Sequence, residues 1–123
     1  MINAKTIGQM FGAIFLLVGI LGFIPNPIVS PNGTFVVNTM HNFVHLLTGA
    51  AFFGGIHFGY PRQTIIGVGL YYVGVAVIGF LTKSDMMLGL IHINTADRWL
   101  HLGLAVVILA AGAVSIDDKK SVS

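Results

Sequence analysis

The sequence predicts an all-α fold, an integral membrane four-helix bundle built from two tandem helical hairpins. Three observations lead there. The chain of 123 residues is 55% hydrophobic and only 8% charged, against roughly 25% charged in a soluble domain, so it could not cover its own surface in water. Four apolar segments each approach the roughly 20 residues a helix needs to cross a bilayer. A polar motif at the head of the second segment, Asn38-Thr39-Met40-His41-Asn42-Phe43-Val44-His45-Leu46, returns at the head of the fourth as Asn94-Thr95-Ala96-Asp97-Arg98-Trp99-Leu100-His101-Leu102.

The first segment runs from Ile7 to Ile24. It is longer than the roughly 7–15 apolar residues of a cleavable signal and ends at Pro25-Asn26-Pro27 rather than at small residues, so it reads as a retained span. Pro25 to Val37 is a loop broken by Pro25, Pro27, Pro31 and Asn32-Gly33, with Thr34 to Val37 a short extended piece. The second span covers Thr39 to Phe58. Asn38 or Thr39 caps it, since a side-chain oxygen there accepts from a helix N–H that has no other partner.

Gly59-Tyr60-Pro61-Arg62 is a tight connection, which makes the second and third spans antiparallel neighbours. The third span is Gln63 to Leu81. Lys83 to Asn94 follows, with Met86 to Ile93 apolar enough to lie along the membrane surface. The fourth span is Ala96 to Ile116, and Asp117 to Ser123 is a solvated tail. All four prolines fall in connections, so no span is expected to kink at proline.

The two motif copies are 56 positions apart, and the ends of the preceding spans, Leu21-Gly22-Phe23 and Ile78-Gly79-Phe80, match at 57. The repeating unit is therefore a helical hairpin. A single membrane domain, residues 1–123, contains repeat 1 at about 7–60 and repeat 2 at about 63–116. Parallel repeats share one orientation. His45 and His101 then sit at equal depth, about six residues inside their caps, or roughly 9–10 Å at the helical rise. Gly8-xxx-Gly12 and Gly55-xxx-Gly59 have the spacing that lets membrane helices approach closely. Lys5, Arg62, Lys119 and Lys120 fall on one side of the bilayer and Lys83 and Arg98 on the other, a bias that places both termini in the cytoplasm.

Gly22-Phe23, then Asn42-xx-His45-Leu46, then Asp97-xx-Leu100-His101-Leu102 is a pattern that resembles a family of small four-span bacterial membrane proteins of unknown function, found in actinobacteria, cyanobacteria and other bacteria. The resemblance covers roughly Gly8 to Gly112 and departs at Arg98, where the family often has Asn. It implies the four-span architecture and a bacterial inner or thylakoid membrane. It implies no activity.

Composition excludes several functions. A net charge of +2 is too small for nucleic-acid binding. With no Cys, there are no disulfides, thiolate metal sites, Cys nucleophiles or covalent c-type haem. The acids are Asp85, Asp97, Asp117 and Asp118, with no Glu, so paired catalytic carboxylates are not expected. No phosphate loop or nucleophile motif is present, and a proton-coupled transporter would carry an acid deep in a span.

The polar layer formed by His41, Asn42, His45, Asp97, Arg98 and His101 carries three readings. In the first it is structural: His45 and His101 hydrogen-bond across helices to Asn42, Asp97 or backbone carbonyls, Arg98 snorkels to headgroups, and Trp99 joins an interfacial aromatic belt. The chain is then a small non-catalytic accessory or scaffolding subunit of a larger membrane complex, in contact with lipid and docking through its glycine faces. In the second, His45 and His101 are axial ligands of a haem or a chlorophyll. His41, Asn42 and Asp97 would be supporting residues, and Phe43, Phe52, Phe53, Tyr71, Tyr72 and Trp99 would pack around the macrocycle. The third, a zinc or copper site from His41, His45, His101 and Asp97, ranks last and is not assigned, because a lone His-xxx-His without an embedded Glu is weakly specific. His57 reads as interfacial and His92 as solvated or capping.

Overall fold

The computed structural model describes residues 2–117. Asp118, Lys119 and Lys120 of the expected tail, and the charge bias that Lys119 and Lys120 support, lie outside the described residues. Four helices dominate: α1 (Ala4–Leu21), α2 (Thr39–His57), α3 (Pro61–Leu81) and α4 (Thr95–Val114). Helices α1, α3 and α4 are long and apolar enough to cross a membrane. Helix α2 has 19 residues and no Lys, Arg, Asp or Glu, but His41, Asn42, His45 and His57 lower its hydropathy. The expected spans agree with the helices to within a few residues. Helix α1 starts earliest relative to expectation because Asn3 Oδ1 accepts the Lys5 and Thr6 N–H groups (2.8 and 3.3 Å) and opens the helix ahead of the apolar run.

The remaining elements are two-residue strands. β1 (Ile2–Asn3) pairs in parallel with β6 (Ser115–Ile116), which brings the start of α1 to the end of α4. At the opposite end, β2 (Val29–Ser30) and β3 (Phe35–Val36) pair in parallel, and β4 (Met86–Met87) and β5 (Ile91–His92) form an antiparallel hairpin. The Met86–Ile93 segment folds back on itself. Leu88 and Gly89 both adopt left-handed backbone (φ 56° and 72°) at its tip, the conformation that reverses a tight hairpin.

The tightest helix contacts are α1 with α2 and α3 with α4; α2 and α3, expected as neighbours through their short link, touch less. The α1–α2 approach depends on small residues. A Cβ at Gly49 would stand 2.9 Å from the Gly12 carbonyl oxygen and 2.7 Å from Leu16. By contrast Gly59, the second glycine of the Gly55-xxx-Gly59 pair, sits in the α2–α3 turn with φ 86°, where an added Cβ would meet nothing within 4 Å, while Gly55 faces Thr64 of α3, so the two glycines do not form one helix interface. The common core joins Ile7 and Phe15 of α1, Phe52 of α2, Ile65 and Tyr72 of α3, and Ala105 and Ile108 of α4. Outward-facing side chains such as Leu17, Leu47, Leu70 and Val106 are apolar and exposed.

Two arginines brace α3 against α4 at opposite ends. Arg98, in the first turn of α4, donates from Nε to the Gly79 carbonyl (2.8 Å) and from its terminal nitrogen to those of Ser84 (2.7 Å) and Thr82 (3.3 Å). Arg62, in the first turn of α3, donates from Nε to the Gly112 and Ser115 carbonyls (both 3.1 Å). Each cation thus satisfies carbonyls at the negative end of the neighbouring helix. Arg98 was expected to snorkel outward; the carbonyls at and just beyond the end of α3 offer its guanidinium three fixed acceptors instead.

Candidate functional site

The polar layer is built where α2 and α4 begin. Asn38 Oδ1 accepts the His41 N–H (3.0 Å) and opens α2. Asn94 Oδ1 accepts the Asp97 N–H while Asp97 Oδ2 accepts the Asn94 N–H (both 2.9 Å), a reciprocal capping box at α4. One to two helical turns further in, three imidazoles converge. His41 and His45 are successive turns of one face of α2, and His101 approaches from α4. His41 lies 4.5 Å from His45 and 5.5 Å from His101 between ring centroids. One ring nitrogen from each of the three lies within 4.8 Å of the others.

All three rings are buried, at 2%, 6% and 2% exposure for His41, His45 and His101. His41 Nδ1 sits 2.8 Å from the His92 carbonyl oxygen. A carbonyl can only accept, so Nδ1 carries the proton and Nε2 carries the lone pair. His45 Nδ1 and His101 Nδ1 have no hydrogen-bond partner. A buried, unpaired polar atom of this kind costs about 1–3 kcal/mol. The cross-helix bonds expected from these two rings to Asn42, Asp97 or backbone carbonyls do not form at Nδ1. Asp97 spends its carboxylate on the capping box, and Asn42 is turned toward Gly22, its Oδ1 also without a partner.

Around the rings closes a cavity of about 10 Å³, lined by His41, His45 and His101 with Tyr72, Met87 and Ile91 among its walls. Phe15 and Tyr72 support it from below, 6.1 Å from His45 and 5.8 Å from His101. The Tyr72 hydroxyl has the Thr48 side chain beside it but makes no well-formed hydrogen bond, while Thr48 donates to the Val44 carbonyl (2.8 Å). Of the other aromatics named in sequence, Tyr71 lines the cavity and Phe52 is in the core. Phe43 meets Phe23, and Trp99 stands edge-on to Phe80 at the surface.

The structure therefore brings His41, His45 and His101 together and leaves Asn42 and Asp97 outside the group. His57 lies at the other end of α2, exposed, against Phe58. His92 contributes its backbone rather than its ring. Met87 was not singled out in sequence. Only the β4–β5 hairpin carries it over the imidazoles, and the nearest signal was an apolar stretch between two polar helix ends.

No curated protein and no solved structure matches the chain. The family model for a domain of unknown function, DUF4383, matches residues 5–114. That match takes in all four helices except Ala4 at the start of α1, together with the three histidines, and the chain belongs to this family.

Proposed function

We propose that the chain is a four-span bacterial membrane protein of two tandem parallel hairpins, acting as a small non-catalytic accessory or scaffolding subunit of a larger membrane complex. One observation carries this reading. The charged side chains within the four helices are Lys5, Arg62, Asp97 and Arg98. Arg62, Asp97 and Arg98 are all committed to helix ends, and Lys5 is exposed in the first turn of α1. No charge within the helices is left over for catalysis or for carrying an ion across the bilayer. The outward-facing apolar residues suit lipid or a neighbouring membrane protein.

The tandem repeat is supported by matched positions 56 or 57 residues apart. Asn38 and Asn94 open equivalent helices, Gly22 faces Asn42 as Gly79 faces Arg98, and Phe15 and Tyr72 meet at the centre at 5.5 Å. With Lys5 and Arg62 at one end, the positive-inside tendency puts that end and both termini in the cytoplasm of an inner or thylakoid membrane.

The absence of cysteine makes the topology directly testable. Asn32→Cys and Ser84→Cys should react with an impermeant thiol reagent from outside intact cells, and Tyr60→Cys only after permeabilisation. Labelling of Asn32→Cys and Tyr60→Cys from one side would overturn the four-span reading. Mild extraction from native membranes should bring the chain down with a larger protein; migration alone, as a small species, would overturn the subunit reading.

Haem or chlorophyll ligation by His45 and His101 is the second reading, favoured by their unpartnered Nδ1 atoms. It requires α2 and α4 to part, because the space among the rings is about 10 Å³ and His41 stands in the same group. A Soret or chlorophyll band lost in both His45→Ala and His101→Ala would establish it.

A further inference from the structure

We propose that His41, His45 and His101 form a binding site for a single monovalent copper ion. The inference goes beyond the subunit reading and does not depend on it.

The geometry starts from donor atoms already in place. Imidazole nitrogens coordinate copper and zinc at about 2.0–2.1 Å, which sets neighbouring ligand nitrogens roughly 3.3 Å apart around a tetrahedral ion. The three nitrogens lie within 4.8 Å of one another, so side-chain rotations of about an ångström bring them to coordinating distance. The α2 pair uses adjacent turns of one helix, and α4 supplies the third ligand, so no backbone need move. His41 is already held as metal-bound histidines are, with its Nδ1–H donated to a backbone carbonyl, here His92 at 2.8 Å, which leaves the lone pair on Nε2.

A second observation points to a ligand. Two further ring nitrogens, on His45 and His101, are buried without any hydrogen bond. The cavity the rings share, about 10 Å³, admits one ion or one water and nothing larger.

The choice of ion follows from charge and softness. All three donors are neutral, and the carboxylate nearest in sequence, Asp97, is occupied in the α4 capping box. An ion here brings its charge into a buried site with no counter-charge. Desolvation cost rises with the square of the charge, so a monovalent ion is far cheaper to bury than a divalent one. Imidazole suits copper, and the thioether of Met87, buried at 4% exposure on the cavity wall, is the soft neighbour that selects copper(I) over zinc. The β4–β5 hairpin that carries Met87 also forms the roof over the site, at the end of the helices that the proposed topology places outside.

The test uses the full chain in detergent, under reducing and anaerobic conditions, with copper(I) buffered by a chromophoric chelator and Zn²⁺ as the competing probe. One copper(I) per chain is expected, with thermal unfolding shifted upward on loading. His45→Gln and His101→Gln, which keep a polar side chain, should each weaken copper retention by roughly 100-fold or more, while His57→Ala should bind as the parent does. X-ray absorption of the loaded protein should show a shell of nitrogen near 2.0 Å. Should the Gln variants fail to fold, the upward shift of the parent protein with copper(I) still decides the matter. Absence of both stoichiometric copper and a thermal shift would overturn the site. Equal loss in His57→Ala would overturn its location, and binding of Zn²⁺ with no response to copper(I) would overturn the choice of ion.

Discussion

Asn38 and Asn94 cap their own helices with one side-chain atom and lock onto each other's half of the molecule with the other. Asn38 Nδ2 donates to the Leu90 carbonyl at 3.0 Å, and Asn94 Nδ2 donates to the Thr34 carbonyl at 2.9 Å. Thr34 and Leu90 are themselves 56 positions apart, as the two asparagines are. The crossed pair ties the loop after α1 to the head of α4, and the hairpin after α3 to the head of α2. The polar end of the molecule is thereby stitched together directly above the three imidazoles.

The two functions of Asn94 can be separated. Asn94→Asp keeps an oxygen for the Asp97 N–H but loses the donor to Thr34, and should lower stability by about 0.5–1.5 kcal/mol. It also places a second carboxylate beside Asp97, which adds repulsion. Asn94→Ala removes cap and crosslink together and should cost more, about 1–3 kcal/mol. Unfolding in detergent, followed by circular dichroism, checks the order of the two. An Asp variant as stable as the parent would show that the link to Thr34 contributes nothing.

Arg98 should not be replaceable by lysine. Its guanidinium reaches the Gly79, Thr82 and Ser84 carbonyls at once, a fan of acceptors that an ammonium cannot span. Arg98→Ala is expected to destabilise by about 1–3 kcal/mol, and Arg98→Lys should recover less than half of that. If the side chain instead sat among lipid headgroups, Lys would serve as well as Arg. Comparing the unfolding midpoints of the two variants therefore separates the two placements.

The glycines should sort by what lies opposite them. Gly49→Ala drives a methyl into the Gly12 carbonyl and Leu16 and should cost about 1–3 kcal/mol through displaced backbone. Gly74→Ala meets nothing within 4 Å and should be neutral or stabilising by up to about 1 kcal/mol, since alanine is the better helix former. Thermal midpoints of the two variants in one detergent test this directly.

Mutation at the cavity wall offers a further check on the site. Met87→Leu preserves volume and burial, so stability should change by less than about 1.5 kcal/mol. Retention of copper(I) against Zn²⁺ should fall, because the thioether is gone. Unchanged ion preference would remove Met87 from the account.

The helices were legible in sequence because their signals are local. Length and apolarity mark the segments, Asn38 and Asn94 announce the starts of α2 and α4, and Pro61 stands as the first residue of α3, where its missing N–H costs nothing. The β4–β5 hairpin was not legible. Its strands are two residues long, too short for alternation to show, and its turn places Leu88 in a backbone region that leucine rarely adopts. The Arg98 brace was hidden for another reason: its acceptors are backbone carbonyls at and just beyond the end of a different helix, which no residue type advertises.

His45 and His101 stand out by their spacing in the chain, and His41 by its place one turn before His45. Whether the three rings meet depends on how α2 and α4 are rotated about their axes and how closely they approach. The sequence by itself determined four helix-forming segments and the residues that cap them, because periodicity, capping and apolar length act over a few neighbouring positions. Only the tertiary structure decided that three imidazoles share one small cavity under Met87, because helix rotation is set by contacts such as Gly49 on Gly12 and Asn38 on Leu90, made between residues far apart along the chain.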